Sequence, residues 1–148
     1  MAQTNTKPSQ QAWLPATLFA LTLLLVIGYH QASQVDYDVP EVDIPTAAAL
    51  IDAGAVIIDV RSENAYEGRH IPGAMLVPLA VLRAGIPAEL EGLKEKEIVV
   101  YCNKGTQVGQ EATHLLNQAG FAHAVNLQSG IGGWANAGQP VITRDQAG

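Results

Sequence analysis

Two short, uninterrupted apolar runs limit what this chain can fold into: Ala55-Val56-Ile57-Ile58, closing on Asp59-Val60, and Ile98-Val99-Val100-Tyr101. A strand with one wet face alternates apolar and polar side chains, so a run that is apolar at every position belongs to a strand covered on both faces. The segments around these runs supply the covers. Residues 46–53 suit a short helix closed by Gly54. Residues 75–78 read as a short strand, and 82–93, broken by Gly85 and Pro87, as one or two short helices. Val108, Ala112, Leu115, Leu116 and Ala119 recur at helical spacing before Gly120, and 124–127 reads as a last strand. Strands alternating with helices predict an α/β domain with a mostly parallel central sheet and helices on both faces.

A compositional break precedes this domain. No Asp, Glu, Lys or Arg occurs between Lys7 and Asp36, and residues 13–29 read WLPATLFALTLLLVIGY. As a helix that stretch is roughly 25 Å long, enough to predict a membrane span bracketed by Trp13 and Tyr29 as interfacial aromatics. A cleaved signal peptide would need small residues around its cleavage site, and His30 stands where one is required before a cut after Ala32. Lys7 before the span and the acidic residues Asp36, Asp38, Glu41 and Asp43 after it orient the N-terminus toward the cytoplasm. The expected organisation is a cytoplasmic tail (1–12), a transmembrane signal anchor (13–29), a linker (30–41), the α/β domain (42–143) and a C-terminal tail (144–148). The corresponding location is single-pass in a bacterial inner membrane, with the domain in the periplasm.

Charge and cysteine content exclude several functions. The net charge of −6 on 148 residues offers no basic face for nucleic acid. One cysteine excludes an intrachain disulfide, so packing must hold the fold. His30, His114 and His123 are scattered without metal-ligand spacing. Glu89, Glu91, Glu95 and Glu97 read as a solvated acidic face.

The single cysteine, Cys102, stands where the second apolar run gives way to Asn103-Lys104-Gly105-Thr106-Gln107 and then to a helix. At such a junction backbone N–H groups converge and a sulfur anion is stabilised. Gly105 permits the tight curvature that such a loop needs.

Four stretches occur in order: Asp59-Val60-Arg61; Glu67-Gly68-Arg69-His70-Ile71-Pro72-Gly73-Ala74; the strand ending at Cys102; and Ser129-Gly130-Ile131-Gly132-Gly133-Trp134 followed by Ala137-Gly138-Gln139-Pro140-Val141. Together they resemble a single rhodanese-like domain. The resemblance implies sulfurtransferase chemistry: the Cys102 thiolate takes the outer sulfur of thiosulfate or of a persulfide, and passes it to a thiol or cyanide acceptor. No metal or organic cofactor is implied. N–H groups of residues 103–107 are expected to ring the sulfur. Asn103, Lys104, Gly105, Thr106, Gln107 and Val108 are expected to bind substrate, with Arg61 lending positive potential. Asp59 with Arg61, His70, and Trp134 with its glycines read as scaffold.

The loop departs from the family pattern. Active members often carry arginine directly after the cysteine and at the loop's end, where this chain has Asn103 and Gln107. Lys104 is the loop's one cation, which weakens the capture of a dianion such as thiosulfate more than that of a persulfide. Cysteine-dependent phosphatases use a loop one residue longer that closes on arginine; here Val108 stands at that position. The second reading is a catalytically weak rhodanese-fold module that recognises a partner protein.

Overall fold

The computed structural model describes residues 14–32, 35 and 37–146, without the side chains of 14–16, 30–32 and 146. The chain divides into two compact units, residues 1–35 and 36–148.

The first unit contains helix α1 (Leu14–Ala32), whose described side chains, 17–29, are all exposed. The expected membrane span falls on this helix, but among the described residues no helix is long and apolar enough to cross a membrane. The structure therefore does not carry the transmembrane expectation. Trp13 and the expected tail 1–12 lie outside the described residues, as do residues 33, 34 and 36 of the linker and 147–148 of the C-terminal tail.

The second unit is built on a five-stranded, all-parallel sheet in the order β1-β6-β5-β2-β4. Its strands are β1 (Glu41–Val42), β2 (Val56–Asp59), β4 (Met75–Leu76), β5 (Ile98–Tyr101) and β6 (Ala124–Leu127). The two apolar runs form the adjacent strands β2 and β5, in register from Val56↔Ile98 to Asp59↔Tyr101. A two-stranded antiparallel ribbon, β3 (Arg69–His70) with β7 (Ile142–Thr143), lies apart from the main sheet.

Both faces of the sheet are covered, and β5 shows why its run had to be apolar throughout. Ile98 and Val100 enter one core with Leu79 and Leu82 of α4 (Leu79–Ala84), Leu90 of a 3₁₀ turn (Ala88–Leu93), and Ala112 and Leu116 of α5 (Gln107–Gln118). Val99 and Tyr101 enter the other with Ala47 of α2 (Ile44–Asp52) and Ile131 and Trp134 of α6 (Gly130–Asn136).

Local chemistry sets the helix ends. Asp43 caps α2 by accepting the Thr46 N–H at 3.0 Å, and hydrogen bonding from the Thr46 side chain, followed by that from its backbone, holds the Asp43 carboxyl below the usual value. Helix α4 starts earlier than the sequence suggested and stops at Gly85 (φ 146°). A short helix α3 (Glu63–Gly68) and α6 were not anticipated. The run Gly130-Ile131-Gly132-Gly133 in α6 has poor helix propensity, which tertiary contacts override.

Candidate active site

Cys102 lies one residue beyond β5, on the face shared with Ile98 and Val100, and is 4% exposed. Residues 103–106 then fold back into α5. Gly105 donates its backbone N–H to Cys102 Sγ at 3.2 Å, and the thiol faces the Thr106 carbonyl at 3.7 Å. Gly105 adopts φ 72°, and a side chain there would collide with the backbone carbonyls of Leu127 and Gln128. Glycine at this position is therefore a requirement of both conformation and space.

The loop is held from behind by α6. Ile131 N–H donates to the Cys102 carbonyl at 2.9 Å, and Gly132 N–H to the Asn103 carbonyl at 3.1 Å. In a trans peptide the N–H points opposite to the C=O, so these bonds turn the N–H groups of Asn103 and Lys104 away from α6. Gly130 makes the approach possible, since a Cβ there would strike the Cys102 carbonyl and the Asn103 backbone. On the other side the sulfur rests against the first turn of α5, where a Cβ on Gly109 would lie 3.3 Å from Sγ. The N-terminal end of that helix adds positive potential at the sulfur.

Cys102 opens into a cleft of about 410 Å³ lined by Val60, Arg61, Ser62, Ala65, Asn103, Lys104, Thr106 and Val108. Of the residues expected from sequence, Cys102, Asn103, Lys104, Thr106, Val108 and Arg61 line this cleft. Gly105 is buried beneath it, and Gln107 opens α5 outside the lining. Of the N–H groups of residues 103–107 expected to ring the sulfur, the structure places that of Gly105 on it, and the sulfur also faces a carbonyl, that of Thr106. Ser62 and Ala65 were not anticipated, because nothing in sequence brings α3 next to Cys102.

Arg61 is nearly buried, and its donors are engaged. Its Nη2 meets Asp59 Oδ2 at 2.6 Å and the Arg69 carbonyl at 2.6 Å, and its Nε lies 2.9 Å from Asp59 Oδ1. Nη1 donates to Asn103 Oδ1 at 3.2 Å, and the guanidinium lies 5.5 Å from the centre of the Tyr101 ring. Burial works against the Arg61 charge, but the hydrogen bonds and charge of Asp59 outweigh it and raise its affinity for the proton. Burial, followed by the Asp59 charge, pushes the Tyr101 phenol well above its ordinary value. The positive potential expected from Arg61 is thus largely matched by a carboxylate behind it.

Asn126, which sequence reasoning passed over as part of a strand, is fully buried behind the loop. Its Nδ2 donates to the Gly105 carbonyl at 2.7 Å and to Glu41 Oε1 at 2.7 Å. The available signal was one amide in an otherwise apolar four-residue strand. His70 is placed as scaffold: its Nδ1 is 2.9 Å from the Tyr66 carbonyl and its ring stacks on Tyr66 at 4.0 Å. Trp134 Nε1 donates to the Pro140 carbonyl at 2.9 Å. Among the described residues no cluster of His, Cys, Asp and Glu could hold a metal ion.

Comparison with known proteins converges on this architecture. Residues 44–137 match the family described as Rhodanese-like domain. The chain is 33% identical over 88 residues to the uncharacterized protein YibN of Escherichia coli (strain K12), covering 60% of this chain and 61% of YibN. It is 28% identical over 88 residues to a sulfurtransferase of Allochromatium vinosum, covering 59% of this chain and 78% of that protein. The human single-domain sulfurtransferase TSTD1 superposes with a TM-score of 0.58 at 29% identity, covering 66% of this chain and 96% of that one. The chain thus spans less than two thirds of the length of YibN.

Proposed function

The chain belongs to the rhodanese-like domain family, and from that premise we propose that it is a sulfurtransferase working through a persulfide on Cys102. The observation that carries this reading is the placement of Cys102 Sγ: under the Gly105 N–H, against the first turn of α5, and at the floor of an open cleft. A sulfur anion there meets oriented dipoles that need no rearrangement during reaction. The Cys102 thiolate attacks the outer sulfur of R–S–SH. A bond forms from Sγ to that outer sulfur, the S–S bond of the donor breaks, and its electron pair leaves on the thiolate RS⁻. A thiol or cyanide then attacks the outer sulfur and returns Cys102 to the thiolate, giving a new persulfide or thiocyanate.

The cleft favours an organic persulfide over thiosulfate. Arg61 is neutralised by Asp59 and directed at Asn103, which leaves Lys104 as the cleft's one cation without a carboxylate partner among the described residues. Val60, Ala65 and Val108 offer apolar wall to a carbon substituent. A dianion would give up its water for one exposed lysine. Steady-state formation of thiocyanate from cyanide tests this with thiosulfate and an alkyl persulfide as donors. A higher kcat/KM for the persulfide is expected, and no turnover with either donor would overturn the proposal.

Location is part of the same proposal. The apolar stretch over 13–29, the single Lys7 before it and the acidic residues after it support a domain on the periplasmic side of a bacterial inner membrane. A C-terminal reporter active only in the periplasm is expected to give signal, and a reporter active only in the cytoplasm would overturn the assignment.

A further inference from the structure

Asn126 makes two short hydrogen bonds through one end of its amide and none through the other. Both partners of Nδ2 are oxygens, the Gly105 carbonyl and Glu41 Oε1, so the amide is fixed with its NH₂ toward the loop. This leaves Oδ1 as a buried oxygen with no hydrogen-bond partner. Such an orphan is unfavourable, and an apolar side chain of the same shape would avoid it. The stability of the sheet therefore gives no reason for an amide here, whereas the loop does.

Gly105 is the residue through which the effect reaches the sulfur. Its N–H is on Cys102 Sγ and its carbonyl is on Asn126 Nδ2, so the two bonds pin the residue from opposite sides in its left-handed conformation. Glu41, on the edge strand β1 directly opposite Asn126 in register, holds the other amide hydrogen and is itself braced by Gln110 Nε2 of α5 at 3.1 Å. The orphan oxygen faces the bare Cα of Gly109, the glycine whose missing side chain also leaves room for the sulfur.

We propose that Asn126 is a positioning residue for the Cys102 nucleophile: anchored by Glu41, its amide holds Gly105 so that the Gly105 N–H stays on the sulfur. The inference rests on the reading of Cys102 as the nucleophile, but not on the identity of the sulfur donor. The charged groups around the sulfur are Arg61 and Lys104 in the cleft, Asp59 behind Arg61, and Glu41 behind Asn126. Asn126→Leu alters none of these charges.

The test is the pH profile of Cys102 alkylation by iodoacetamide in the full chain, alongside circular dichroism and thermal unfolding. In folded N126L the rate at neutral pH is expected to fall by about fivefold, the equivalent of one lost hydrogen bond, with the profile moved to higher pH. A folded N126L with the wild-type profile would overturn the proposal. Where N126L does not fold, the exposed Glu41 decides. E41A is expected to lose about twofold in rate, and E41Q, which still offers Asn126 an amide oxygen, to recover it. An E41A profile equal to wild type, or an E41Q profile equal to that of E41A, would overturn it. An alkylation profile that responds in this way in a protein that no donor persulfidates would uphold Asn126 and refute the sulfurtransferase reading.

Discussion

Arg61 shows how one residue can lie beside a reactive sulfur and still contribute little free charge. It lines the cleft, but its guanidinium is held by Asp59, which is 0% exposed, and is directed at Asn103. Removing the guanidinium with Arg61→Met would strand a buried carboxylate. The expected loss is about 3–5 kcal/mol of stability in urea unfolding. A loss below about 1 kcal/mol would mean that water reaches Asp59 and that the pair is a surface one. The motif Asp59-Val60-Arg61 made the pair with Asp59 legible in sequence, but the other two partners of Arg61 lie 42 residues away at Asn103 and 8 away at Arg69, separations that no local pattern encodes.

At the scale of elements, the site is the meeting of the end of β5, the first turn of α5 and the start of α6, and glycines decide how closely these approach. Gly130 has φ 54° and no room for a Cβ against the Cys102 carbonyl. Gly130→Ala is expected to destabilise by about 2 kcal/mol or more and to slow Cys102 alkylation, because α6 can no longer hold the loop carbonyls. Helices α4 and α5 are joined by Arg83 and Glu111, with Nε to Oε1 at 2.6 Å and Nη2 to Oε2 at 2.7 Å. The hydrogen bond from Arg83 is the main cause that holds the Glu111 carboxyl below its ordinary 4.5. A folded-state value below the unfolded one contributes stability that is fully present above about pH 4.5 and is lost as pH falls through the lowered value. Glu111→Gln should accordingly flatten the acid side of the stability profile and leave its slope above pH 6 unchanged, as read by urea midpoints across pH. The elements legible in sequence were β2, β5, β6 and α5, which apolar pattern defines, together with the short helix α2 before Gly54 and the short strand β4. Helix α6 was not, because Gly132 and Gly133 lower helix propensity while the packing of α6 on the loop demands small residues, and only the second effect is tertiary. Asn126 was passed over for a related reason: a single amide in a strand signals a buried polar partner but does not say which one.

Across the whole molecule, the sheet, its two cores and every residue of the cleft belong to residues 36–148, while α1 belongs to the other unit. A protein comprising residues 36–148 is therefore expected to fold and to keep the Cys102 alkylation rate of the full chain. A fall of tenfold or more would show that the first unit supports the site. The parallel order β1-β6-β5-β2-β4 places the end of the central strand β5 between two covering layers, where a loop can be anchored from both sides and remain open to a cleft. The central claim is that this loop makes Cys102 a carrier of sulfane sulfur. Intact-mass measurement after incubation with an alkyl persulfide tests it most directly. The expected result is a single added sulfur, about 32 Da, that is removed by cyanide and absent in Cys102→Ser. A wild-type mass unchanged by persulfide, polysulfide and thiosulfate alike would contradict it.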